Sequence, residues 1–118
     1  MRAIANRTLL LVGRDLHEAE RVRRLLPLRV GVLQLPSQAL PALEGADAVL
    51  LEDRAWPATE EEALVKLRKL SASRRLALIL SRGRGERAGA DGVPVVSRPY
   101  RMEEIVEALR LVLLRRAR

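Results

Sequence analysis

Short apolar runs in this chain alternate with longer amphipathic patterns, and that alternation limits its fold more than any other feature. Thr8 to Val12 (TLLLV) reads as a buried strand. Asp15 then caps a helix with Glu18 in capping-box position, and Ala19, Val22 and Leu26 share one face before Pro27 closes it. Leu28 to Leu35 is a second strand with Gly31 inside it. Ser37 caps a short helix, Gln38 to Leu43, which Pro41 keeps irregular and Gly45 ends. Ala46 to Leu51 is a third strand and runs into Glu52 and Asp53. Thr59 opens a helix over Glu60 to Leu70, acidic in its first turn and basic in its last, as the helix dipole favours. Arg75 to Leu80 and Val93 to Val96 are strands four and five. Met102 to Arg116 is the last helix, with Met102, Ile105, Val106, Leu109, Val112 and Leu113 on one face.

Buried strands interleaved with amphipathic helices require a parallel sheet covered on both faces. The predicted fold class is α/β: a flavodoxin-like, doubly wound five-stranded parallel sheet in the order 2-1-3-4-5. The 118 residues suffice for one domain, 1–118, with residues 1–7 as a basic N-terminal arm and 115–118 as a basic C-terminal tail. Residues 82–91 are polar, and Gly83 and Gly85 each cost a helix about 1 kcal/mol relative to Ala. A loop, or at most one or two turns, is therefore expected there, leaving the fourth helix shortened or missing.

Composition narrows the chemistry. There is no cysteine, so disulfides and thiolate metal sites are excluded. With His17 as the single histidine, no metal set, no catalytic triad and no cofactor site can be assembled. The glycines from Ser81 to Glu86 lack the spacing of a phosphate loop. The apolar runs are too short for a bilayer and none resembles a secretory signal, which makes the expected location cytoplasmic. The net charge of +7 permits nucleic acid, acidic lipid or an acidic protein as partner. One Trp, one Tyr and no Phe give no platform for stacking bases, so nucleic acid is only weakly supported.

In this fold, function lies outside the carboxyl ends of the strands. Those ends are Val12-Gly13-Arg14-Asp15, Leu51-Glu52-Asp53 with Pro57 after it, Leu80-Ser81, and Ser97-Arg98-Pro99-Tyr100. Together with the run from Asp47 to Asp53 and the Gly-Ala-Asp-Gly segment at 89–92, they resemble the receiver (CheY-like) domains of two-component response regulators, over essentially the whole chain. The resemblance implies an acidic pair after strand one, a phosphoryl-accepting Asp after strand three, a Ser or Thr after strand four and a Lys-Pro step after strand five. Gly13 and Arg14 stand where the acidic pair belongs, and Asp15 falls one place late. Glu52 takes the acceptor position counting from Asp47, and Asp53 takes it counting back from Pro57. Arg98 replaces the Lys, Ser81 matches its type, and Val95 stands at the aromatic switch position.

Phosphoryl transfer to a carboxylate needs a divalent cation, which an arginine in place of the acidic pair would repel. The resemblance therefore implies a degenerate, phosphorylation-independent receiver that is not an enzyme, binds no metal and regulates, in transcription among other settings, by protein–protein contact. The alternatives are an atypical phosphoaccepting regulator using Asp53, with Asp15 as metal ligand, and a basic nucleic-acid-binding regulator. A guanidinium from Arg14 or Arg98 is expected to pair with Glu52 or Asp53; a solvated strand end is the plainer alternative for both acids. Leu111 and Leu114 fall off the buried stripe of the last helix. Beside Tyr100, and rimmed by Arg101, Arg110 and Arg115, they are expected to meet a protein partner or a second copy of the chain.

Overall fold

The computed structural model of this chain describes residues 4–83 and 93–117, the last three as backbone alone. Five parallel strands form one sheet: β1 (Thr8–Val12), β2 (Arg29–Leu33), β3 (Ala48–Asp53), β4 (Leu78–Arg82) and β5 (Val95–Ser97), in the order β2-β1-β3-β4-β5. Four helices are seen among the described residues: α1 (Leu16–Leu25), α2 (Pro36–Ala42), α3 (Glu61–Ala72) and α4 (Met102–Ala117). The expected doubly wound order is the observed one. The expected loop over 82–91 falls mostly outside the described residues; Arg82, its first residue, belongs to β4.

Strand alternation divides the core into two layers. Leu9, Leu11, Leu50 and Ile79 point to one face, where Val22 of α1 and Ile105, Leu109 and Val112 of α4 cover them. Leu10, Val12, Val49, Leu51, Leu78 and Leu80 point to the other, where Ala39 of α2 and Leu67 of α3 pack. The apolar face expected for the last helix is the buried one, and Ala108 joins it.

Several boundaries move. The N-terminal segment is not a free arm from residue 4 on: Ile4 is fully buried and the Asn6 N–H donates to the Pro27 carbonyl at 3.0 Å. The C-terminal tail continues α4 as far as Ala117. Ser37 does not cap α2. Pro36, lacking an N–H, takes the first position of that helix. The Gln38 side chain then accepts from the N–H groups of Gln34 and Leu35, at 2.9 and 3.1 Å. The helix expected at Glu60 begins as a 3₁₀ turn, Ala58–Glu60. This places the Glu60 carboxylate, buried, against Ser37: it accepts from the Ser37 N–H at 2.8 Å and from its hydroxyl at 3.1 Å. Glu60 thus joins the start of α2 to the start of α3.

A buried donor left without its acceptor costs about 1–3 kcal/mol. Glu60→Ala should lower the free energy of unfolding by about that amount in a urea titration.

Candidate functional site

Strand register brings the candidate residues together at the carboxyl edge of the sheet. Glu52 lies beside Ser81 and Asp53 beside Arg82. Because side chains alternate along a strand, these pairs face opposite ways. Glu52 and Ser81 continue the layer under α1 and α4. Asp53 and Arg82 continue the layer under α2 and α3.

Of the two carboxylates considered for the acceptor position, Glu52 is the one that meets Gly13, Arg14, Ser81 and Arg98. Its Oε1 accepts from Arg98 Nη1 at 3.1 Å, and its Oε2 from the Arg14 backbone N–H at 3.0 Å. The expected guanidinium pair therefore forms through Arg98, while the Arg14 side chain is exposed and contributes through its main chain. Gly13 makes the arrangement possible. A β-carbon placed there would lie 2.6 Å from Glu52 Oε2 and 3.2 Å from Glu52 Cβ. A cavity of about 20 Å³ remains among Gly13, Asp15, Glu18, Glu52 and Ser81. Ser81 is 1% exposed, and its hydroxyl has no hydrogen-bond partner among the described residues.

Asp15 borders that cavity as the N-cap of α1, its Oδ1 accepting from the His17 and Glu18 N–H groups at 3.0 and 3.1 Å. Asp53 is bonded to Arg82 Nε, so it is held by a residue that sequence reasoning left in a loop. Trp56 closes the region from outside: its indole N–H donates to the Glu52 carbonyl at 3.0 Å, and the Arg54 guanidinium lies 5.2 Å above its ring.

Tyr100 departs from expectation. It is 3% exposed and packs into the layer under α1 and α4, so it is no part of a surface patch. The Arg98–Pro99 peptide before it is cis. The Tyr100 hydroxyl donates to Glu18 Oε1, and Arg21 Nη2 donates to the Tyr100 carbonyl at 3.1 Å. Glu18 therefore faces inward rather than completing a capping box. Burial pushes the Glu18 carboxyl above its ordinary range, against the lowering effect of the Tyr100 hydrogen bond. Burial, then the bond to Glu18, holds the Tyr100 hydroxyl protonated well beyond the ordinary tyrosine range. An open hollow of about 430 Å³ lies outside this pair, among Asp15, Arg21, Arg98 and Pro99.

On α4, Leu111 and Leu114 are 43% and 55% exposed, as expected. The rim differs from the basic one expected. The hollow beside Leu111 is bordered by Glu103, Glu104 and Glu107. Arg101 is exposed, and Arg110 pairs with Glu107 at 3.8 Å. Among the described residues no cluster of three or more His, Cys, Asp or Glu side chains has the geometry to hold a metal. Nor is any of their helices long and apolar enough to cross a membrane.

Comparison with protein-family models finds no match, and comparison with curated protein sequences finds none either. Comparison of folds finds many. The chain superposes on the receiver domain of the TMAO respiratory system response regulator TorR with a TM-score of 0.70 and 19% identity, over 92% of this chain and 98% of that one. On the signal receiver domain of a modulated diguanylate cyclase from Desulfovibrio desulfuricans G20 the TM-score is 0.73 and the identity 13%, covering 95% and 97%. A pilus assembly-related protein from Burkholderia pseudomallei gives 0.68 and 20%, covering 92% and 90%. The fold is that of response-regulator receiver domains.

Two outcomes follow from this geometry. Gly13→Ala should force Glu52 aside and destabilise the protein by about 1–3 kcal/mol, the usual cost of overpacking, as read from urea unfolding. Glu18→Gln should raise the melting temperature at neutral pH. The raised Glu18 pKa favours the native state below its unfolded value of 4.5, and that advantage is lost as pH rises through the folded value. The gap between variant and parent should thus be widest near neutrality and narrow as pH falls toward 4.5.

Proposed function

We propose that this chain is a receiver-like signalling module that acts by binding a protein partner and does so without being phosphorylated. The observation that carries the reading is the Glu52 carboxylate, held between Arg98 and the Arg14 N–H in the space that Gly13 leaves open. Of Glu52 and Asp53, the two residues to which the receiver resemblance can assign the phosphoryl acceptor, the contacts with Gly13, Arg14 and Arg98 favour reading Glu52 as its counterpart. Its two oxygens already have donors, and one of those donors is a cation.

The surroundings support the same reading. Magnesium binds through carboxylates while keeping several of its waters. A 20 Å³ cavity has room for about one water molecule. Asp15 is engaged at the helix N-terminus and Asp53 by Arg82, so neither is poised as the alternative phosphoacceptor scheme requires. For the partner, the outer face of α4 offers Leu111 and Leu114 together with the acidic groove edge of Glu103, Glu104 and Glu107, without Tyr100. Such a mixed apolar and charged face suits a protein surface better than a nucleic acid. A module of this kind would work in the cytoplasm.

Incubation with acetyl phosphate and millimolar Mg²⁺, followed by intact-mass spectrometry, should leave the protein unmodified. A hydroxylamine-labile phosphoryl adduct mapped to Glu52 or Asp53 would overturn the proposal.

A further inference from the structure

All strands run in one direction and the helices return in the other, so strand starts and helix ends gather at the pole opposite Glu52. Backbone bonds tie that edge together: the Arg29 N–H donates to the Arg7 carbonyl at 2.9 Å, and the Asp47 N–H to the Thr8 carbonyl at 2.8 Å. The pole is predominantly cationic, with Glu44 and Asp47 the acids just before β3. Arg24 lies in the last turn of α1 and Lys69 in the last turn of α3, Arg29 begins β2, and Arg74 and Arg75 join α3 to β4; all five are exposed. None of the five forms an ion pair among the described residues, whereas Arg7 pairs with Asp47 and Arg23 with Glu20.

Cations at helix ends complement the helix dipole, which accounts for Arg24 and Lys69. It does not account for Arg74. The Arg75 N–H donates to the Leu70 carbonyl at 2.9 Å and the Arg74 N–H to the Ser71 carbonyl at 3.0 Å. That is a Schellman motif with Arg74 at the left-handed position, where φ is 63°. Glycine or asparagine fills this position at lower conformational cost. A guanidinium stands there despite the backbone, next to a second one.

We infer that this pole binds the phosphate backbone of double-stranded nucleic acid without reading its sequence. Four of the five free cations are arginines, whose planar forks match phosphate oxygens. From β2 to β4 the row crosses three strand spacings, about 14 Å, enough to reach phosphates on both sides of a groove about 6–12 Å wide. The two aromatic side chains, Trp56 and Tyr100, lie at the other pole, so single strands find nothing to stack on. Among the described residues Leu25, at the end of α1, is the one exposed large apolar side chain beside these five cations, which falls short of the apolar face that insertion into a lipid surface requires.

The full chain should bind a short labelled duplex of mixed sequence in fluorescence anisotropy. Its log affinity should fall against log salt with a slope of about −4 to −5, five contacts at about −0.9 each. Lys69→Gln, Arg74→Gln and Arg75→Gln together should flatten that slope by about 3, whereas Arg54→Gln at the other pole should leave it unchanged. Arg74→Gly separates charge from conformation: it should raise the melting temperature while weakening duplex binding. Absence of duplex binding at low salt, or an unaltered slope in the triple variant, would overturn the inference. So would sedimentation with phosphatidylserine vesicles under conditions that leave the duplex free, since that result assigns the pole to lipid.

Discussion

Nothing projects from Gly13, and the geometry of the site follows from that. A side chain at this position would collide with the Glu52 carboxylate, and without one the carboxylate folds back over the end of β1. There it reaches the Arg14 N–H on one oxygen and Arg98 on the other. The loops after β1 and β5 are joined to the end of β3 through a single side chain. Trp56 adds a second tie, from the loop after β3 to the Glu52 main chain. A glycine usually draws notice for its backbone freedom. Here the missing β-carbon matters more, since it makes room for an acid that belongs to another strand.

The two-residue period of β3 and β4 sorts the charged groups. Glu52 and Ser81 extend one buried layer, and Asp53 and Arg82 extend the other. Two acids adjacent in sequence thus acquire separate partners. The sheet order and the buried stripe of α4 were legible because long apolar periodicities dominate local preference. The choice between Glu52 and Asp53 was not, because counting from Asp47 and counting from Pro57 differ by one residue. One residue in a strand reverses the face. Had β4 been extended to Arg82, the alternation Leu78, Leu80, Arg82 would have placed that arginine beside Asp53.

Other contacts were hidden for a different reason. Glu18 matches a capping-box position, yet it turns inward because Tyr100, from the far end of the chain, presents a buried hydroxyl to it. Glu60 matches an acidic first helical turn, yet its carboxylate serves Ser37 across the gap between two helices. In each case a local rule gave the residue a sufficient explanation, and a long-range polar group had a stronger claim. The large majority of buried hydroxyls and amides are hydrogen-bonded, whatever the local pattern suggests. Tyr100 carried a usable signal: as one of only two aromatic residues, in a chain without Phe, it was a natural candidate for the core.

The strength of the Glu52 arrangement bears on the proposal that this chain acts without being phosphorylated. A partly exposed ion pair contributes at most about 1 kcal/mol, and a hydrogen bond to a charged group about 1.5–3 kcal/mol. Moving a two-state equilibrium from one extreme to the other takes about 5.5 kcal/mol. The site alone therefore biases the loops without dictating a global state. A phosphoryl group would bring about two negative charges and three acceptor oxygens. Glu52 brings one charge and two oxygens, both already satisfied by donors of the same chain. No charge is left over to draw in a moving element when a signal arrives. A partner can shift this protein only as far as its own affinity differs between conformations. These magnitudes suit a surface that is presented continuously and regulated by how much of the protein or its partner is present.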